Sequence, residues 1–320
     1  MQTYDVAVVG GSHAGLSAAL ILGRARRKVL LIDAGEPRNA PAGRAYGFST
    51  RDATPPAELR RLGREELKRY GVAFVEARAE HMTGHDSDFT LTLNADSQNS
   101  GQRVRARKLV LATGVRDDLN ILPGLSDLWG RRAYTCPYCH GWEVRDEPLA
   151  VVGGGEEGGR YASLVANWSP HVTLCTDGAG LEPPAVAHLT RLGIQVNVAE
   201  IDRLSEDGER ASVHFKDAPA LRVAGVFIRP PVHLVSPLAD ALGCNRSDDE
   251  SYVWTDKTGQ TSVQGVYAVG ALVSPKAAVI LAAASGANAA YMLNHQFVTE
   301  QQEHTQQKRT QQQNQGVTHA

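Results

Sequence analysis

The chain has 320 residues, 33 basic against 35 acidic for a net charge of −2, with 42% apolar and 21% charged residues. That length suits about two domains with a full core each, and the composition is that of an ordinary globular protein. The near-neutral balance, with no basic stretch interleaved with aromatics, argues against nucleic acid as a partner.

The first segment, Met1-Gln2-Thr3-Tyr4-Asp5, has no basic region, and Gly10 and Gly11 interrupt the apolar run that follows, so it does not read as a secretion signal. Asp5–Val9 is a short apolar run suited to a buried parallel strand. The turn Gly10-Gly11-Ser12-His13-Ala14-Gly15 follows, then a helix over Leu16–Leu22 and a second strand over Val29–Ile32 that ends at Asp33. This is a βαβ unit with a near-match to the dinucleotide fingerprint. Small residues at the turn let the backbone approach a pyrophosphate at the helix N-terminus, and an acid further on holds a ribose hydroxyl. Asp33, 18 residues beyond Gly15, meets that need, while Ser12 stands where the middle glycine usually is.

Leu109–Ala112 reads as a strand that ends at Thr113-Gly114, and the polar segment Asp96–Gly101 before it as a hairpin or loop. A second unit of the same kind begins at the strand Leu149–Val152, where Gly153-Gly154-Gly155-Glu156-Glu157-Gly158 matches the fingerprint in full, and continues to the strand Val172–Cys175. Gly265–Gly270 is another strand that meets a glycine. The alanine-rich run Ala277–Leu293 contains Ser285, Gly286 and Asn288 and is short for a membrane span, so a buried helix, no membrane and a cytoplasmic location are expected. Eight of the last twenty residues are glutamine, with no apolar face to bury, and that tail is expected to be disordered or a frayed helix.

Of the four cysteines, two form Cys136-Pro137-Tyr138-Cys139, while Cys175 and Cys244 stand alone. Two cysteines at this spacing close a small ring and exchange it with an incoming thiolate. In a reducing cytoplasm they favour a catalytic pair over a structural framework. A zinc site would need a second ligand pair, which the isolated cysteines do not supply, so no metal is expected. His140, directly after the pair, is a candidate to accept or return a thiol proton, with Glu143 a weaker one. Tyr138, Trp142 and Trp129 are read either as a channel for an apolar substrate or as plain packing.

These landmarks, in this order, resemble the low-molecular-weight thioredoxin reductases over residues 3 to 298. Within that family, Cys136–Glu143 looks most like the dithiol oxidases that close disulfides in natural products of the gliotoxin, holomycin and romidepsin kind; the reductases proper carry an acid where this chain has His140. The resemblance implies an α/β architecture of two Rossmann-like dinucleotide-binding domains. FAD would occupy a domain built from 1–117 and 249–298. An NAD(P)-binding-like domain carrying the CxxC would be inserted at 118–248, ahead of the tail at 299–320. The expected FAD contacts are Gly10, Ser12, His13, Ala14, Gly15, Asp33, Ala34, Arg38, Asn39, Thr113, Gly114, Gly270, Ala271 and Ala278. Ala271 departs from the family, which commonly has an aspartate there for a ribityl hydroxyl; the loss is one hydrogen bond of about 1 kcal/mol.

By the same resemblance, Cys136 would exchange with substrate and Cys139 face the flavin, in a homodimer. NADP(H) binding stays open. The basic cluster that clamps a 2′-phosphate in the reductases is replaced by Cys175-Thr176-Asp177-Gly178, and Glu156 and Glu157 stand where a pyrophosphate would lie, with Arg160 as a partial offset. The expected reaction is oxidation of a small-molecule dithiol, with O2 rather than NADP⁺ as final acceptor. The alternatives are an NADPH-driven thioredoxin-disulfide reductase, a reductase fed by a carrier such as ferredoxin, and a non-catalytic redox-sensing flavoprotein.

Overall fold

A strand that begins polar and turns wholly apolar suits a sheet interior reached from the surface. β1 (Gln2–Val9) does this, with Val6 to Val9 buried in the computed structural model. The structure describes residues 1–94, 101–276 and 278–317, the side chains beyond 310 excepted, so most of the predicted hairpin turn at 96–101 lies outside the described residues. By contacts the chain forms two units, Met1–Glu36 with Arg60–Gly114 and Leu234–Ala320, and Pro37–Leu59 with Val115–His233.

In the first unit, β1 runs into α1 (His13–Arg24) and returns as β2 (Val29–Asp33), followed by β3 (Ala73–Glu76), β4 (Arg78–His85), β5 (Asp88–Asn94) and β6 (Gln102–Leu111). The sheet order is β3-β2-β1-β6-β5-β4, parallel from β3 to β6 and antiparallel through β5 and β4. Ten residues let β6 serve two neighbours on one edge: Gln102–Ala106 pair with β5, and Leu109–Leu111 pair in parallel with the strand Val266–Ala268. One core face packs Val6, Val8 and Val110 against Leu16, Leu22, Ala289, Leu293 and Phe297 of the flanking helices.

The second unit holds a five-stranded parallel sheet in the order Gln195–Asn197, Val172–Cys175, Leu149–Val152, Gly225–Ile228, Ala133–Tyr134. An antiparallel three-stranded sheet, Ile201–Asp207, Arg210–Phe215 and Leu221–Val223, buries Leu204, Val213 and Val223 in the same core. The contact boundaries differ from those read in the sequence. Segment 37–59 groups with the second unit because Arg38 pairs with Asp117 and Gly130 abuts Pro41, and 234–248 groups with the first.

Of its two expected forms, the tail takes the helical one. The last helix runs from Val279 to Val317, and residues 301–310 are exposed on every side. Glutamine, glutamate, lysine and arginine lose little rotamer freedom in a helix, so they extend one already nucleated by the packed turns before them. The junction is held by Lys108, completely buried, which pairs with Glu300 of this helix and with Asp86 at 2.7 Å. Among the described residues no helix is long and apolar enough to cross a membrane.

Candidate active site: a dinucleotide cradle and a two-cysteine bridge

The turn after β1 is built as tightly as backbone allows. Gly10 takes φ +110°, and its N–H donates to the Ile32 carbonyl at 2.8 Å. A Cβ on Gly15 would sit 1.8 Å from the Gly10 carbonyl oxygen, and one on Gly10 2.2 Å from that of Ala112. Ser12 precedes α1 in an extended conformation, but its side chain caps nothing, so no side chain occupies the N–H groups at the helix start. These donors and the positive end of the helix dipole suit a pyrophosphate.

Asp33, buried at the end of β2, accepts from Gly11 N at 3.0 Å through Oδ1 and pairs through Oδ2 with Arg64. The cleft at the C-terminal ends of β1 and β2 is lined by Gly10, Asp33, Ala34, Glu36, Arg78 and Thr113. Gly114 takes φ +70°, and a Cβ on Gly270 would lie 2.8 Å from that of Ala14. Ala271 lies in a short turn after Gly270, whose N–H donates to Ser285 Oγ at 3.1 Å; the Ala278 carbonyl accepts from Ala282 at the start of the last helix. His13 is buried, and burial, reinforced by the Arg60 guanidinium, lowers its pKa to about 4. Arg60 and Arg64 stand on the helix Pro56–Lys68 and were not legible as neighbours of the fingerprint, since only the fold brings Arg64 to Asp33, 31 residues away. Arg38 and Asn39 belong to the second unit, where Asp117 holds the Arg38 guanidinium through two hydrogen bonds, 2.8 and 2.5 Å.

In the second unit Cys136 and Cys139 are disulfide-bonded, with Cα atoms 5.3 Å apart. Cys136 caps a single helical turn, Pro137–His140, and Pro137 sits at its first position, where a missing N–H costs nothing. His140 closes the turn. Its ring stacks on Tyr134 at 4.6 Å between centroids and meets Tyr46 edge-on at 6.0 Å, and burial lowers its pKa to about 4. Near neutral pH the imidazole is therefore uncharged, and burial resists its protonation. Desolvation raises the Glu143 carboxyl, Asp52 pushes it the same way, and Arg145 opposes them. Trp129 packs against the core formed by Leu125 and Leu128, so of the three aromatics read as a channel it serves packing.

Cys175 is buried and its thiol is pushed up to about 12 by that burial. Among the described residues no group of three or more His, Cys, Asp or Glu side chains is placed to hold a metal.

At the second fingerprint a Cβ on Gly158 would meet the Gly153 carbonyl oxygen at 2.2 Å, and Gly154 precedes the helix Gly155–Val165 with no side-chain cap. The acids in its first turn have cations of their own: Glu156 pairs with Arg160 at 2.5 Å, and Glu157 with Arg229 at 3.7 Å. The Asp177 carboxylate after the next strand accepts from Ile201 N at 2.7 Å.

Two dinucleotide folds and a bonded CxxC define a disulfide oxidoreductase of the flavin-dependent type. The model of the pyridine nucleotide-disulphide oxidoreductases matches residues 4–290, and the chain belongs to that family. It is 30% identical to the thioredoxin reductase sirT of Leptosphaeria maculans, over 92% of this chain and 94% of that protein. Among solved structures it is similar to HlmI, with a TM-score of 0.87 and 37% identity over 96% of both chains. The oxidoreductase from Agrobacterium tumefaciens also superposes with a TM-score of 0.87, at 32% identity over 93% of this chain and 99% of that one. FAD is the cofactor, and the cradle fits it. The turn that a Cβ would fill, the uncapped helix start and the carboxylate at the end of β2 are the parts a dinucleotide needs.

Proposed function

We propose that this enzyme oxidises a small-molecule dithiol to its cyclic disulfide through Cys136 and Cys139, with dioxygen as final acceptor. The observation that carries the reading is the bonded pair followed at once by an imidazole that burial keeps uncharged. An uncharged imidazole at this position offers a lone pair to a substrate that arrives as a thiol.

In this reading His140 takes the proton from the first substrate thiol. The thiolate attacks Sγ of Cys136, the Cys136–Cys139 bond breaks, and the electron pair leaves on Sγ of Cys139. The second substrate thiolate then attacks the substrate sulfur of the mixed disulfide and releases Cys136. The product carries one new S–S bond, having given up two electrons and two protons. Re-forming the Cys136–Cys139 bond frees the two electrons, and FAD held at Gly10–Gly15 and Asp33 would supply their acceptor, with dioxygen reduced to hydrogen peroxide in the end.

The acids Glu156 and Glu157 support dioxygen over NADP⁺, since a pyrophosphate at that helix start would meet like charge and compete with them for Arg160 and Arg229. The reading also takes the enzyme to be a cytoplasmic homodimer, which light scattering after gel filtration tests for assembly.

Oxygen uptake with dithiothreitol and a panel of small dithiols tests the reaction. Wild type consumes oxygen, and Cys136→Ser and Cys139→Ser do not; equal uptake by either variant overturns the proposal. A second reading, an NADPH-driven thioredoxin-disulfide reductase, draws support from the name of the sirT relative. It predicts that NADPH bleaches the flavin within seconds under anaerobic conditions, where the oxidase reading predicts little or no bleaching.

A further inference from the structure

Aromatic side chains left in water forgo the stabilisation that burial brings, so two of them flanking a reactive bond call for a physical reason. Among the described residues, Tyr138 and Trp142 are the most exposed aromatics, at 73% and 65%. Tyr138 lies between the two bridged cysteines, and Trp142 three residues after the second.

Both are held in place. Tyr138 meets the ring of Trp168 edge-on, 5.2 Å between centroids at 89°. The Trp168 ring reaches that position only because Gly141 has no side chain: a Cβ there would lie 2.7 Å from Trp168 Cγ and 2.6 Å from the Pro137 carbonyl oxygen. The Trp168 carbonyl accepts from Asp146 N at 2.9 Å, which fixes the segment beneath the turn. Trp142 is propped from another side. The Arg145 guanidinium sits 4.0 Å from its ring centre, and Nη1 donates to the Trp142 carbonyl at 2.7 Å.

We infer that Tyr138 and Trp142, supported by Trp168 and Arg145, form the ledge that receives the substrate's body while its sulfur meets the bridge. This deepens the proposed dithiol oxidation and rests on it. A thiolate that attacks Sγ of Cys136 brings the atoms that carry it against whatever flanks the turn. Two fixed aromatic faces select a flat, apolar or aromatic framework. The remaining N–H groups of Arg145 suit hydrogen-bond acceptors on the edge of that framework. The substrate class assigned is therefore a dithiol borne on a rigid ring system with acceptor groups, and flexible polar dithiols are the poor substrates.

The test compares 1,2-benzenedimethanethiol with dithiothreitol, both of which close a six-membered disulfide ring and differ in the body that carries the thiols. Wild type prefers the aromatic dithiol in kcat/KM, and Trp142→Ala and Trp168→Ala each lower the ratio of the two kcat/KM values about tenfold, mainly through KM, while Trp142→Phe restores it. A readout without turnover uses the unreactive bis(methyl thioether) of 1,2-benzenedimethanethiol, titrated against oxidised enzyme by tryptophan quenching, whose Kd rises about tenfold in Trp168→Ala. No aromatic preference in wild type, or a ratio unchanged in both alanine variants, overturns the ledge. So does a Trp142→Ala defect confined to a reduced thioredoxin-like protein, which would make this a protein-docking surface. If neither dithiol supports oxygen uptake the proposed function falls, and the thioether titration still decides the ledge.

Discussion

Replacing Gly15 with alanine sets two effects against each other. Alanine is the better helix former by about 1 kcal/mol, so on propensity alone the third residue of α1 would gain. The added Cβ, however, would lie 1.8 Å from the Gly10 carbonyl oxygen and 3.3 Å from Val8 Cγ1. The obstacle is backbone, pinned through Gly10 N to Ile32 O at 2.8 Å, and Gly10 itself cannot retreat toward the Ala112 carbonyl. Relief requires opening the turn that faces the pyrophosphate. Overpacking of this severity costs about 3 kcal/mol, and taken from the bound state it weakens FAD about 100-fold. Flavin per polypeptide after gel filtration, and fluorescence titration of the apoprotein, measure this. Gly43→Ala serves as the control, since a Cβ there meets nothing within 4 Å. A Gly15→Ala protein that purifies fully flavinated with the wild-type Kd refutes the argument.

Other expectations follow from buried charge and buried thiols. His13 has its pKa lowered from 6.5 to about 4, so the folded state refuses a proton the unfolded chain accepts. Its contribution is complete above pH 6.5 and is lost as pH falls from there toward 4. Between pH 6.5 and 5 wild type loses about 2 kcal/mol on this account, and His13→Gln flattens the dependence of urea midpoints on pH over that window; parallel profiles contradict it. Lys108→Ala strands Asp86 and Glu300 without their cation and costs about 3 kcal/mol, a fall in Tm of about 6–12 °C, with a smaller one for Glu300→Gln. Iodoacetamide at pH 8 labels Cys136 and Cys139 of the reduced native enzyme and spares Cys175, whose thiol burial pushes up to about 12; mass mapping reads the outcome.

Local signals carried the two glycine turns, the strands before them and the cysteine pair, because a fingerprint and its βαβ setting lie within some thirty residues. What depends on distant pairing left no such trace. Arg64 reads as one more charge on an amphipathic helix until the fold sets it on Asp33, and Lys108 as a polar interruption in a strand until Glu300, 192 residues on, reaches it. His13 sits inside the fingerprint, yet its burial is decided by elements elsewhere in the chain. His140 was legible as a neighbour of Cys139, but its partners Tyr134 and Tyr46 come from other segments. The glutamine-rich tail could be read either as disordered or as a helix, because composition speaks to the lack of an apolar face and not to a helix already under way.

The strand Val266–Ala268 completes the sheet beside β6, and Gly286 lies so near α1 that a Cβ on it would be 1.9 Å from the Ala14 carbonyl oxygen. The turn after β1 is thus braced by segments from far along the chain. A chain still lacking those segments offers no finished berth for the coenzyme. Premature termination anywhere before residue 286 should yield colourless protein, however intact its opening motif.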